Sequence, residues 1–296
     1  MTEVSLKELG GTLQRVLPFR GDQAGREQLR HLWVESHDGK VTFSMSNGFT
    51  LAQVCRGDLD WPEGTWLLDG VEVRDKLAYC QKEDGAFLEV DALGARIGGI
   101  AIPVVDTTWF DYEALVQDVR DKAKASLLTD RKSFNKVLRE NKGDIMGVSL
   151  AGGLARLYVA VDDKRYHLET IAVQTISCQM VQGQGRAAFG REMLQKLVRA
   201  AGDWVSLKIQ PEGDTPVAAL VEGPDFWAVS MTRRPFPKEA LLTQQQRDLL
   251  EWVQEMLTSV RKGEVTARVQ VGDGQLTVSW EPEPDVTTVE LVAQTA

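Results

Sequence analysis

The residues able to do covalent or cofactor chemistry come first. Gly183-Gln184-Gly185-Arg186-Ala187-Ala188 fits the loose G-x-G-x-x-A pattern that cradles a dinucleotide pyrophosphate at the start of a helix. Its surroundings argue against that use. Gln174, Thr175, Ile176 and Ser177 alternate polar and apolar, unlike a strand buried in a parallel sheet. Asp203 precedes the next strand, whereas a ribose-binding acid follows it. No G-x-x-x-x-G-K-[ST] phosphate loop occurs. His31, His37 and His167 have no H-x-x-x-H spacing, and no metal set or Ser-His-Asp arrangement can be argued from spacing. Asp162-Asp163 and Asp214 read as turn acids. Tryptophans such as Trp61, Trp66, Trp109, Trp204 and Trp227 stand near strand ends and read as packing anchors. The expectation is a protein with no catalytic residue, metal or cofactor.

Cys55, Cys80 and Cys178 are odd in number and lack a CxxC pair, so they form no disulfide framework. The opening Met1-Thr2-Glu3-Val4 lacks signal-peptide regions, and no stretch approaches ~18 consecutive apolar residues. A cytoplasmic protein without membrane contact is expected. The chain has 296 residues, 43% hydrophobic and 26% charged, which suits about two domains. Its net charge of −9 argues against bulk attraction to nucleic acid unless the charge is unevenly spread.

The elements that would position any site repeat along the chain. Helix-like stretches open near Ser5, Asp69, Asp130 and Gly190, each followed by short alternating strands and tight turns. Leu6, Leu9, Leu13 and Leu17 mark the first helix, weakened by Gly10-Gly11 at about 1 kcal/mol each. Strands are expected at 28–35, 40–45 and 49–55, across His37-Asp38-Gly39 and Ser46-Asn47-Gly48. A short helix with Val73, Leu77 and Cys80 precedes strands at 86–90 and 95–103. The charged segment 111–124 reads as a connector. Asp130 or Thr129 caps a helix with Phe134, Val137 and Leu138 inward. Strands follow near 145–150, 154–161, 165–173 and 176–182. A fourth helix spans about 190–201 with Met193, Leu194, Leu197 and Val198 on one face, before strands at 204–209, 217–221 and 226–231. Pro235-Phe236-Pro237 breaks the chain. Beyond it come an amphipathic helix bearing Leu242, Leu249, Leu250, Val253, Met256, Leu257 and Val260, a hairpin over 265–271 and 275–280, and an acidic tail. The divisions expected are 1–120, 121–235 and 236–296.

Several of these segments resemble bacterial sliding clamps, the beta subunit of the replicative polymerase. Ser46-Asn47-Gly48-Phe49-Thr50-Leu51-Ala52 resembles a T-D-G-x-R-L-A-like turn that follows two strands in that family. Phe110-Asp111-Tyr112 resembles its F-P-D-Y, and Phe226–Arg233 its last strand and V-M-P-M-R ending. Phe189–Leu197, Val205–Ile209 and Thr215-Pro216 resemble the final clamp domain. The likeness covers roughly 1–235, two clamp domains where bacterial clamps have three. Asn47 and Thr50 replace the expected Asp and Arg, the F-P-D-Y proline is missing, and Ser230-Met231-Thr232 replaces Met-Pro-Met.

The resemblance implies an α+β fold of two DNA-clamp domains. Each has two βαβββ units, with helices on one face of curved antiparallel sheets, and a C-terminal helix and hairpin are appended. It implies a processivity factor that encircles double-stranded DNA and contacts its phosphate backbone without reading sequence. Six domains usually close such a ring, so a homotrimer is implied. Partners would be DNA polymerase or repair proteins docked through a short glutamine- and leucine-bearing peptide, and a clamp loader. Helices facing DNA should then be basic. Segments 5–16, 69–82, 130–142 and 190–202 hold thirteen Lys/Arg against seven Asp/Glu, leaving −15 for the rest. The DNA-facing candidates are Lys7, Arg15, Arg74, Lys76, Arg131, Lys132, Lys136, Arg139, Lys142, Arg191, Lys196 and Arg199. The peptide-pocket candidates are Asn47, Gly48, Phe49, Thr50, Leu51, Val229, Ser230 and Met231. A clamp fold that serves as a protein-interaction scaffold without encircling DNA is the alternative.

Overall fold

The computed structural model describes residues 2–22, 26–80, 87–91, 94–97, 100–102, 112–141, 143–162, 168–210, 218–232, 266–272, 275–281 and 291–292. The chain divides into two compact units, Met1–Leu241 and Leu242–Ala296.

In the larger unit four helices each follow a short strand. Strand β1 (Thr2–Ser5) leads into α1 (Leu6–Val16), and β2 (His31–His37), β3 (Lys40–Ser46) and β4 (Thr50–Arg56) follow. Strand β5 (Gly64–Asp69) leads into α2 (Gly70–Cys80), then β6 (Phe87–Asp91), β7 (Gly94–Ile97) and β8 (Ile100–Ile102). After helix α3 (Glu113–Lys122), β9 (Ala125–Asp130) leads into α4 (Arg131–Glu140), β10 (Ile145–Ala151), β11 (Leu154–Asp162) and β12 (Leu168–Ile176). Strands β13 (Met180–Gln182) and β14 (Gly185–Gly190) precede α5 (Arg191–Ala200), β15 (Trp204–Ile209), β16 (Ala218–Glu222) and β17 (Phe226–Met231).

The pairing shows four strand–helix–three-strand units that exchange their first strands. β1 joins β6-β7-β8, β5 joins β2-β3-β4, β9 joins β15-β16-β17, and β14 joins β10-β11-β12. Every pairing in these sheets is antiparallel. The halves then fuse. β17 pairs with β4, Phe226 opposite Val54 through Ser230 opposite Thr50, so one nine-stranded sheet runs β13-β9-β15-β16-β17-β4-β3-β2-β5. The backbone hydrogen bonding is thus continuous from one half to the other.

Period-two alternation explains which face is covered. Leu32 and Val34, Val41, Phe43 and Met45, Ala52 and Val54, and Trp66 and Leu68 point into one core with the helices. The glycine pair does not break α1, because Leu9, Leu13 and Val16 are fully buried. Burying them contributes ~1.5–3 kcal/mol each, more than two helical glycines cost. In α4, Asp130 caps the first turn by accepting from the Ser133 N–H at 2.8 Å, and Phe134, Val137 and Leu138 are buried. The helices form one layer in the order α2, α1, α5, α4, each packed on the next.

Several expectations change. The strand expected over 28–35 begins as a 3-10 turn, Glu27–Arg30, because Leu29 turns back to bond Arg26 and Gly21. The strand expected over 95–103 is two short antiparallel ones, β7 and β8. The connector 111–124 contains helix α3, whose Val116 and Val119 cover Ala218, Leu220 and Val229 on the sheet face away from the other helices. In the second compact unit, β18 (Thr266–Gly272), β19 (Gln275–Glu281) and β20 (Leu291–Val292) form a small antiparallel sheet. The amphipathic helix expected from Leu242 to Val260 lies outside the described residues, as do Cys80's side chain and His167.

Candidate functional site

Two surfaces gather the sequence candidates. On the helix layer, Lys132, Lys136 and Arg139 recur at spacings of four and three along one exposed stripe of α4. Arg199 of α5 faces them. With Arg131 and Asn135 they line a groove of about 510 Å³ whose one acid is Glu140. Lys196 is exposed on the same helix as Arg199. Such a groove can hold phosphate oxygens, since several cations converge with little opposing charge.

The other basic candidates are differently placed. Arg131 also bonds Asp203 at 3.1 Å. Arg191 is half-buried at the start of α5, with its Nε out of contact with solvent. Arg15 is spent on structure. Its guanidinium donates to both carboxylate oxygens of Asp225 at 2.7 and 2.8 Å, its Nε donates to the Ala200 carbonyl at 2.6 Å, and it lies over the Phe226 ring at 5.5 Å. The Arg15 hydrogen bond holds the Asp225 carboxyl below its usual range. This ties α1 of the first half to α5 and the β16–β17 turn of the second, so Arg15 is a poor phosphate ligand. Arg74 pairs with Asp75 at 2.8 Å, and Lys76 with Glu72 at 3.3 Å. Lys142 and the side chain of Lys7 lie outside the described residues.

The second surface is the β4–β17 seam. Asn47 forms the turn before β4, its Oδ1 accepting from the N–H groups of Phe49 and Thr50 at 3.0 and 2.7 Å. Gly48 holds φ +85°, which favours glycine at that position. Thr50 and Ser230 are buried opposite one another, their hydroxyls 2.9 Å apart. Leu51 and Val229 are buried too, so these four are strand core and not open pocket wall. Phe49 and Met231 are different: 63% and 47% exposed, and joined by a 2.8 Å bond from the Met231 N–H to the Phe49 carbonyl. Leu115 adds a third exposed apolar side chain on α3, one residue before Val116, which packs on Val229. The sequence reading missed it, because a run rich in charges hides a helix whose buried stripe is only two valines wide.

Beside the seam, a cleft of about 660 Å³ opens between α3 and the sheet, lined by Glu35, Gln53, Gln117 and Arg120 and by Tyr112, whose ring is tilted against that of Trp227 with centroids 5.6 Å apart. Burial raises the Tyr112 phenol pKa.

The enzyme-like patterns dissolve. Gly185 to Ala188 lie on strand β14, so the glycine pattern does not open a helix. His31 is buried on β2. His37 stands exposed at the β2–β3 hairpin tip, 3.0 Å from Glu63. With Asp38 these two form the one group of potential metal ligands among the described residues.

No protein-family model and no curated protein matches the sequence. Solved structures do. The DNA polymerase sliding clamp from Pseudomonas aeruginosa superposes with a TM-score of 0.64 at 15% identity, over 78% of this chain and 66% of its own. The sliding clamp from Bacillus subtilis gives 0.64 at 11% identity, over 79% and 64%. The DNA polymerase III beta subunit from Thermotoga maritima gives 0.64 at 15%, over 78% and 65%. The chain thus has the bacterial sliding-clamp fold and spans about two thirds of the length of the clamps it matches.

Proposed function

We propose that this protein is a DNA sliding clamp or clamp-like accessory factor, which encircles duplex DNA and docks partner proteins through a peptide. It has no chemistry of its own and works in the cytoplasm by topology. One observation carries the reading: four exchanged-strand units place their helices in a single layer, and that layer bears the exposed cations Lys132, Lys136, Arg139 and Arg199 of the α4–α5 groove. A net charge of −9 on the whole chain does not oppose this, because exposed charges are screened within ~8–10 Å and phosphate attraction is local.

The strand order supports ring closure. β17, the last strand of the fourth unit, joins β4, the last strand of the first. The last strands of the other two units, β8 and β12, are sheet edges. The same join made between copies would set β8 of one chain against β12 of the next, and such head-to-tail contacts close a ring where the rotation between copies completes a circle. With two domains per chain and six per ring, the assembly is a trimer. The peptide site is the exposed pair Phe49 and Met231 at the end of the β4–β17 seam, where an apolar anchor would rest on side chains held by a rigid sheet.

The test is retention on DNA. Protein loaded on nicked circular duplex should stay bound at a salt concentration that strips it from linear duplex, and solution mass should be near three times 32.8 kDa. Equal loss from both DNAs would refute encirclement. A non-encircling interaction scaffold is the second reading, favoured by the separate compact unit Leu242–Ala296. It expects a monomer indifferent to DNA.

A further inference from the structure

The two halves supply equivalent helix pairs to the layer, α1 with α2 and α5 with α4, so their surfaces can be compared position by position. They differ sharply. The groove at α4 and α5 carries Lys132, Lys136, Arg139 and Arg199 against Glu140, and its Arg131 is paired with Asp203 at 3.1 Å. The groove at α1 and α2, about 400 Å³, is walled mainly by Leu17, Pro18, Leu77 and Ala78, and its two cations are Arg20 and Arg74.

Both of those are paired: Arg20 with Asp22 at 2.9 Å, Arg74 with Asp75 at 2.8 Å. Lys76 is shared between Glu72 and the Ala101 carbonyl, each at 3.3 Å, and Arg15 is held by Asp225. A cation beside a carboxylate acts on a distant phosphate as a dipole, whose field dies faster than that of a lone charge. Such a cation must also give up its partner before it can release a counterion. Among the described side chains, then, one half of the helix layer is electrostatically silent and the other is not.

We infer that contact with the duplex is one-sided: the α4–α5 surface of each chain grips the phosphate backbone, and the α1–α2 surface is a smooth, neutral wall. This rests on the clamp reading and refines it. In a head-to-tail ring, strong and silent faces alternate around the hole. The duplex is then held by one face of each chain instead of being centred by all of them. The apolar floor at Leu17, Pro18 and Leu77 fits a surface past which DNA slides without pausing.

Three variant proteins test this, by binding to a short linear duplex across a salt series. The first carries Lys132→Ala, Lys136→Ala, Arg139→Ala and Arg199→Ala, all exposed positions. The second carries Arg74→Ala and Lys76→Ala. The third carries Glu72→Gln and Asp75→Asn, which unmasks the α2 cations. The first should lose about tenfold or more in affinity at low salt, and its slope of log affinity against log salt should flatten by about 3. The second should stay within about twofold of the parent, and the third should bind more tightly. Circular dichroism checks that each is folded. If the second variant loses as much as the first, or the third gains nothing, one-sided grip is wrong while the clamp reading stands. If the parent shows no salt-dependent duplex binding, both fall.

Discussion

Arg15→Ala separates a structural arginine from a DNA-binding one. On sequence alone Arg15 is a cation on a helix expected to face DNA; in the fold it bridges the two halves. The loss has three parts. The bidentate pair with Asp225, at 2.7 and 2.8 Å, would be worth ~1.5–3 kcal/mol if shielded. The Asp225 side chain is 41% exposed, however, so solvent screening brings the pair to about 1 kcal/mol. The Nε bond to the Ala200 carbonyl adds ~1 kcal/mol, and the contact with the Phe226 face ~0.5 kcal/mol. The sum is about 2.5 kcal/mol, or roughly 5–10 °C in melting temperature for a unit of this size. Calorimetry of Arg15→Ala, Asp225→Ala and the double variant should give a coupling of about 1 kcal/mol, with duplex affinity unchanged. Because the Arg15 hydrogen bond depresses the Asp225 pKa, this stabilisation is complete above its ordinary value of 3.8 and disappears as pH falls through the lower folded value. The gap between parent and Arg15→Ala should therefore narrow in acid by the share owed to Asp225, leaving the share owed to the Ala200 carbonyl and the Phe226 ring. An unchanged melting temperature with weakened DNA binding would refute the reasoning.

Two further outcomes follow from local geometry. Gly183 holds φ +68°, and a Cβ there would overlap the Lys124 carbonyl; Gly152 holds φ +58° with open space around it. Gly152→Ala should cost about 1 kcal/mol of backbone strain, and Gly183→Ala at least twice that in a thermal melt, so equal losses would contradict the packing at the β13–β14 turn. His37 should titrate above 6.5 by NMR, chiefly because of its hydrogen bond to Glu63, and Glu63→Gln should move it back toward 6.5. Its contribution to stability is present below 6.5 and vanishes as pH rises through the folded value, so a His37 titrating below 6.5 would show that the pair does not form in solution.

The sequence revealed what is local. The four main helices announce themselves through buried stripes such as Phe134, Val137 and Leu138, and the hairpin at Asp38-Gly39 through its turn residues. The Asp130 cap was visible three residues before its partner Ser133. Hidden features depend on partners far along the chain. β1 is four residues long and gains its identity by pairing Thr2 with Val90. Helix α3 has Tyr112 at its N-cap without a side-chain bond, so no capping signal marks it. Among the site residues, the exposed α4 stripe could be read from spacing. The burial of Leu51, Thr50, Val229 and Ser230 could not, because α3 and α5 cover the two faces of that seam.

The join between β4 and β17 also bears on synthesis. β4 is complete once Arg56 has been made, but its neighbour begins only at Phe226. At ~5–20 residues per second, the ribosome leaves that edge open for roughly ten to thirty seconds. Throughout that interval the nascent N-terminal half offers an unpaired row of backbone donors and acceptors to any other chain emerging nearby. Crowded polysomes are thus the setting in which this protein is most exposed to mispairing with its own copies.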